Sequence, residues 1–227
     1  MSFLFVAGPR GGHNADVAKE IEIKYRLPHP RALHQTLRKA GAAFLGRALV
    51  RDEYFDTPGQ SLLAADVGLR LRCERTLARG EGKSRREGEG ILTCKGPAER
   101  SSRVKIRREW QTGVENPRAT GQLLAGLGFV PTVLIEKKRS SYRLGPCSVE
   151  LDELPLLGAF VEVEGPSVRA VERTVAKLGL TGEAIRDHYV NLVRAECQRI
   201  GRSCRRVTLA ACRCCRHRPG RRAAGAQ

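Results

Sequence analysis

The 227-residue chain carries 41 Lys+Arg against 24 Asp+Glu, a formal net charge of +17, with 41% hydrophobic and 29% charged residues. That composition is ordinary for a globular protein, and the length suffices for one domain with a real core. No apolar run approaches the ~18 residues of a membrane helix. Phe3-Leu4-Phe5-Val6-Ala7 is too short for an export signal and lacks a basic residue ahead of it, so a cytoplasmic protein without membrane attachment is expected.

The charge is unevenly spread. Residues 198–227 hold nine arginines and no Asp or Glu, leaving residues 1–197 with +8 of the total. A basic body of this kind suits an anionic ligand. Cysteines divide in the same way: Cys73, Cys94 and Cys147 are scattered through the body, whereas Cys197, Cys204, Cys212, Cys214 and Cys215 crowd the end. The body cysteines read as free thiols. The tail spacings do not match the paired C-x₂₋₄-C pattern of zinc sites, and residues 198–227 read as a disordered basic tail.

In chain order, residues 1–17 lack periodicity and read as a flexible leader. Glu20 to Tyr25 then alternates strictly, Glu20/Glu22/Lys24 on one face and Ile21/Ile23/Tyr25 on the other, which is the period of a strand. Pro30 opens a helix with Leu33, Leu37 and Ala40 on its apolar face, ended by Gly41. Strands are expected over 43–56, 68–76, 90–96 and 103–112, with a polar glycine-rich hairpin loop over 79–90. Asn116-Pro117 caps a second helix that ends at Gly128. Strands resume over 132–143, 146–152 and 159–164, followed by helices over about 167–178 and 183–199. Eight strands with two helices inserted and two appended indicate an α+β chain whose antiparallel sheet closes or nearly closes.

Strand after strand carries charges at i and i+2: Glu20/Glu22/Lys24, Arg70/Arg72, Arg107/Glu109, Lys137/Arg139, Glu150/Asp152 and Glu162/Glu164. On one strand this describes a solvated face. Repeated around a barrel whose apolar side packs outward on helices, it fills a lumen with both signs of charge. Buried charges persist only when paired or holding ions. Carboxylates hold hard metal ions and Arg or Lys grips phosphate oxygens, so the pattern points to a phosphate-and-metal site.

Seven segments, in order, resemble the CYTH family of triphosphate tunnel metalloenzymes. They are Glu20-x-Glu22-x-Lys24, Tyr54-Phe55-Asp56-Thr57, Leu69-Arg70-Leu71-Arg72, Leu92-Thr93-Cys94-Lys95-Gly96-Pro97, Arg107-Arg108-Glu109, Lys137-x-Arg139-x-x-Tyr142, and the run from Leu151-Asp152 to Glu162-Val163-Glu164. The likeness spans about 18–195, is nearest in texture to the class IV adenylate cyclase branch, and sets a domain over 18–197. It implies an eight-stranded antiparallel β-barrel with flanking helices that binds a nucleoside or inorganic triphosphate. By position, Glu20, Glu22, Asp152, Glu162 and Glu164 would hold Mg²⁺ or Mn²⁺, two ions being expected. Lys24, Arg70, Arg72, Lys95, Arg107, Lys137 and Arg139 would bind phosphate, and Glu20, Glu22, Lys24 and Glu109 would be catalytic.

The chain departs from the family at Gln111, where a second Glu is common, and at His188, where a Ser is usual. His188 reads as a surface or helix-capping residue rather than a general base. The resemblance implies a cyclase that makes cyclic AMP and pyrophosphate from ATP, with inorganic or thiamine triphosphate hydrolysis as the alternative. A polyphosphate-binding module without catalysis is disfavoured by the complete carboxylate set, because a purely anion-binding site loses from acids. Specific nucleic-acid binding is disfavoured by the lack of interleaved aromatics in the body, leaving only non-specific contacts by the tail. A monomer or a homodimer through the outer sheet face is expected.

Overall fold

A computed structural model describes residues 18–81, 88–99 and 103–210. The leader, the centre of the glycine-rich loop and the tail from 211 onward lie outside the described residues. The elements are β1 (Ala18–Leu27), α1 (Pro30–Lys39), β2 (Ala43–Asp56), α2 (Ser61–Ala64), β3 (Gly68–Arg79), β4 (Gly90–Lys95), β5 (Lys105–Val114), α3 (Pro117–Gly126), β6 (Val130–Leu144), β7 (Cys147–Leu154), β8 (Gly158–Glu164), α4 (Val168–Lys177), α5 (Tyr189–Arg199) and β9 (Arg206–Val207).

The strands follow the order β2-β3-β4-β5-β1-β8-β7-β6, and β6 pairs back onto β2, so the antiparallel sheet closes into an eight-stranded barrel. Closure removes the exposed edges of an open sheet. The period-2 alternation then sorts side chains into an outer apolar set and an inner charged set. Ile23 and Tyr25 of β1, Val149 and Leu151 of β7 and Val161 and Val163 of β8 face outward under Leu33 and Leu37 of α1 and Val171 and Val175 of α4. On the other side, Leu124 of α3 covers Phe55 and Leu71. Each such side chain removed from water contributes roughly 1.5–3 kcal/mol, so the outward apolar face holds the charged face inward.

The helix ends follow their sequence signals. Asn116 Oδ1 accepts the Ala119 N–H at 3.0 Å ahead of α3, and Ser167 Oγ accepts the Ala170 N–H at 3.2 Å ahead of α4. Gly41, at φ +76°, follows the end of α1.

Two expectations are corrected. The segment 183–188 is not helical, because its polar groups are spent on the barrel. The Ile185 N–H donates to the Lys24 carbonyl at 2.8 Å, and the Asp187 carbonyl accepts from Lys24 Nζ at 3.2 Å. The helix starts only at Tyr189 and crosses one end of the barrel, where Tyr189, Val190, Val193 and Cys197 pack on Val133, Ile135, Leu154 and Phe160. Residues 198–210 are likewise no disordered tail. Arg206–Val207 pairs in parallel with Leu134–Ile135 of β6, and Val207 is buried with Cys204 against the same apolar plug. Burial of Val207 and the ladder bonds offset the ordering entropy that the composition alone suggested was unpaid. Cys73, Cys94 and Cys147 are free thiols, as read from the sequence.

Candidate active site

The barrel register sets the inward charges side by side. Glu20 stands opposite Arg107, Glu22 opposite both Lys105 and Glu164, Lys24 opposite Glu162, and Arg139 opposite Asp152. They surround a cavity of about 270 Å³. Glu20, Glu22, Lys24, Arg70, Arg72, Lys95, Arg107, Glu109, Arg139, Glu162 and Glu164 line it, whereas Lys137 and Asp152 stand behind the lining in the wall.

One part of the lumen is a closed lattice of ion pairs. Asp152 accepts from Arg139 Nε and Nη2 at 2.6 and 2.5 Å and from Lys137 Nζ at 2.9 Å. Glu162 takes Arg139 Nη2 at 2.6 Å and Lys24 Nζ at 3.1 Å. The ammonium groups of Lys24 and Lys137 sit over the Tyr189 ring, 4.2 and 4.6 Å from its centroid, a favourable cation–π placement. Asp52, which the sequence reading passed over, holds Arg72 in a two-pronged contact at 2.6 and 2.8 Å, with Arg70 Nε at 3.7 Å and Lys137 Nζ at 3.8 Å.

The titration behaviour follows from this packing. Burial alone would raise the Asp52 carboxyl, yet Arg72, Arg70 and Lys137 outweigh it and hold it well below the usual carboxylate range. Glu162 is held down in the same way by Lys24, Arg139 and Lys137 against its own desolvation. Lys137 pays for this crowding, since burial and then Arg139 bring it down to about 8.

The rest of the lumen is not balanced. Glu20 Oε1 contacts Lys95 Nζ, while its Oε2 is buried without a hydrogen-bond partner. Lys95 Nζ also lies 3.3 Å from Glu109. The cation nearest Glu22 in an ion pair is Lys105, at 3.9 Å, and desolvation together with Glu162 and Glu20 raises the Glu22 carboxyl in spite of Lys24. Glu164 lines the cavity opposite Glu22 and keeps access to water; partial desolvation, then Glu20, Glu109 and Glu22, raise its carboxyl.

Against these acids stands Arg107, with a side chain 0% exposed and Nε and Nη1 both lacking a partner. Arg70 Nε is likewise buried without a hydrogen bond. Orphaned buried polar groups of this kind cost roughly 1–3 kcal/mol each and call for an explanation. Unpartnered guanidinium donors beside under-neutralised carboxylates fit a polyanion accompanied by a hard cation.

The expected metal set is therefore not assembled as one group. Asp152 and Glu162 are taken up by Arg and Lys, and among the described residues no three His, Cys, Asp or Glu side chains converge as a ready-made metal cluster. Within the expected set, Glu22 and Glu164 are left short of positive charge, and Glu20, paired with Lys95 through Oε1, keeps Oε2 without a hydrogen-bond partner. His188 also departs from expectation. It occupies the residue before α5, but its side chain makes no cap hydrogen bond. Instead its ring lines the cavity, with Nδ1 3.2 Å from Lys105 Nζ and Nε2 3.5 Å from Asp66. Burial, then Lys105 and Arg107, press it down to about 2, so it is a neutral imidazole. Lys105, itself brought down to about 8 mainly by burial, completes a Lys105/Arg107/Glu109 alternation that the strand pattern already displayed.

Comparison with known proteins agrees with the fold. The CYTH domain model matches residues 18–192. The adenylate cyclase CyaB of Aeromonas hydrophila is 30% identical over 146 residues, 63% of this chain and 67% of that protein. Among solved structures, PH1819 of Pyrococcus horikoshii OT3 superimposes with a TM-score of 0.64 at 24% identity, covering 78% of this chain and 99% of that one. HpAC1 of Hippeastrum, whose structure is described as revealing a dominant triphosphatase activity, superimposes with a TM-score of 0.59 at 22% identity over 78% of this chain and 95% of its own. With the family model spanning residues 18–192, most of the chain, the chain belongs to the CYTH domain family.

Proposed function

We propose that the chain is a metal-dependent enzyme that works on a triphosphate held in the barrel, and that with ATP it forms cyclic AMP and pyrophosphate. The observation that carries this is the buried, half-unpartnered guanidinium of Arg107 facing the under-neutralised carboxylates Glu20, Glu22 and Glu164. Mg²⁺ or Mn²⁺, two ions being expected, would be held by those three carboxylates and would supply positive charge to the phosphoryl oxygens.

The chain's own cations do the remaining binding. Arg107, Arg70 and Lys95, which line the cavity, would grip phosphate oxygens. Asp52 fixes Arg72, and Asp152 with Glu162 fixes Lys137, Arg139 and Lys24, so these cations are held before the substrate arrives. Preorganised charge of this type stabilises the extra negative charge of a phosphoryl-transfer transition state. In cyclisation the ribose 3′-oxygen bonds to the α-phosphorus as the bond to the bridging oxygen of pyrophosphate breaks.

Hydrolysis of inorganic or thiamine triphosphate is the second reading. It is favoured by a cavity of about 270 Å³, at or below the roughly 300 Å³ lower end of small-molecule pockets. Such a lumen takes a triphosphate chain and leaves a nucleoside at its mouth. The relative in fold with a triphosphatase description points the same way.

The experiment offers the full-length protein ATP, inorganic triphosphate and thiamine triphosphate with Mg²⁺ or Mn²⁺, and identifies the products by chromatography. Cyclic AMP with equimolar pyrophosphate is the expected result. Orthophosphate without cyclic AMP assigns the protein to the hydrolases, and unchanged substrate in every case overturns the enzyme reading.

A further inference from the structure

Asp66 lies in the turn between α2 and β3, at φ +53°, a left-handed conformation that Asp and Asn tolerate better than most side chains. Its carboxylate gathers contacts from three separate parts of the chain. The Ala98 N–H donates to Oδ2 at 2.8 Å, Arg107 Nη2 lies 3.5 Å from both oxygens, and His188 Nε2 lies 3.5 Å from Oδ1. The Asp66 side chain is 51% exposed while that of Arg107 is 0% exposed. Asp66 thus stands on the solvent side of a buried guanidinium that lines the cavity and whose Nε and Nη1 have no partner.

A carboxylate and a phosphoryl group offer a guanidinium the same thing, paired anionic oxygens. The Asp66–Arg107 contact is long for a charge-assisted hydrogen bond, which settles near 2.7–2.9 Å when well formed. It is therefore a weak hold, half in water, on a cation the phosphate chain needs. We propose that Asp66 competes with a phosphoryl group for Arg107 and so sets how tightly the tunnel holds a polyphosphate. This rests on the triphosphate reading above. It makes Asp66 an affinity-setting residue at the tunnel wall rather than a catalytic one. Because the Ala98 N–H donates to Oδ2 at 2.8 Å, losing Arg107 leaves Asp66 seated in its turn.

The test is calorimetric titration of inorganic triphosphate into the full-length protein, its Asp66→Asn variant, Arg107→Met, and the double variant. Asn keeps the left-handed backbone and an oxygen for the Ala98 N–H, so the turn is preserved. Asp66→Asn is expected to lower Kd by about fivefold at low ionic strength, the most that a partly exposed ion pair is usually worth. The gain should fall below about twofold in the Arg107→Met background, because the two residues are coupled. Equal or weaker binding by Asp66→Asn, with the unchanged protein binding normally, overturns the competition. So does a gain of the same size without Arg107, which would reflect general charge repulsion. If neither the unchanged protein nor any variant binds, the triphosphate reading itself fails and this inference falls with it.

Discussion

Asp52→Asn is expected to cost about 3–5 kcal/mol of folding stability, the range found when one partner of a buried ion pair loses its charge. Asp52 is 2% exposed and faces Arg72, Arg70 and Lys137, so removing its charge leaves three cations crowded in a low-dielectric wall. The amide keeps the shape, which confines the effect to charge. At roughly 2–4 °C per kcal/mol for a chain of this size, the midpoint of thermal unfolding should drop on the order of 10 °C.

The effect has a definite pH dependence. The folded carboxyl sits below its unfolded value of about 3.9. Its contribution is therefore complete above that unfolded value and is lost as pH falls toward the folded one. Urea unfolding of the two proteins should differ by a constant amount between about pH 5 and 7, and the curves should converge below about pH 4. A gap that persists undiminished in acid would show that Asp52 acts through shape rather than charge.

Glu22→Gln is expected to lower kcat for the preferred triphosphate by about 10²-fold or more, the scale on which removal of one preorganised electrostatic contact slows a reaction. Glu22 lies between Glu164 on β8 and Lys105 on β5, and the cation nearest it in an ion pair is Lys105, at 3.9 Å. Binding of the phosphate chain through Arg107, Arg70 and Lys95 should survive, since none of these depends on Glu22 for its placement. The signature is a fall in kcat with little loss of triphosphate affinity. A variant with unchanged kcat would remove Glu22 from the reaction.

Much of this site is readable from alternation alone. Glu20/Glu22/Lys24 on β1 and Glu162/Glu164 on β8 each carry charge on one parity and Ile or Val on the other, so the inner face is plain. Asp52 is hidden because Arg51, Asp52 and Glu53 place charges on both parities, and no period survives there. Asp66 is hidden because it belongs to a turn, and turns have no face. The division of labour among the carboxylates could not be read at all. Whether an acid is neutralised depends on pairs such as Asp52 with Arg72 or Glu162 with Lys24, which the barrel joins across long stretches of sequence. The docking of residues 203–208 was missed for a related reason. Val207 follows Arg205-Arg206 in a short stretch with no strand period, and only pairing beside β6 makes it part of the core.

Whether Glu20, Glu22 and Glu164 hold the cations of a triphosphate tunnel is decided by titrating the full-length protein with Mn²⁺. The electron paramagnetic resonance signal of the free ion reports uptake, and Glu22→Gln is run beside it. Saturable uptake by the unchanged protein is expected, with affinity at least tenfold weaker in the variant, since even an outer-shell change commonly costs about 10–100-fold in metal affinity. Equal uptake by both proteins, or none by either, would contradict it.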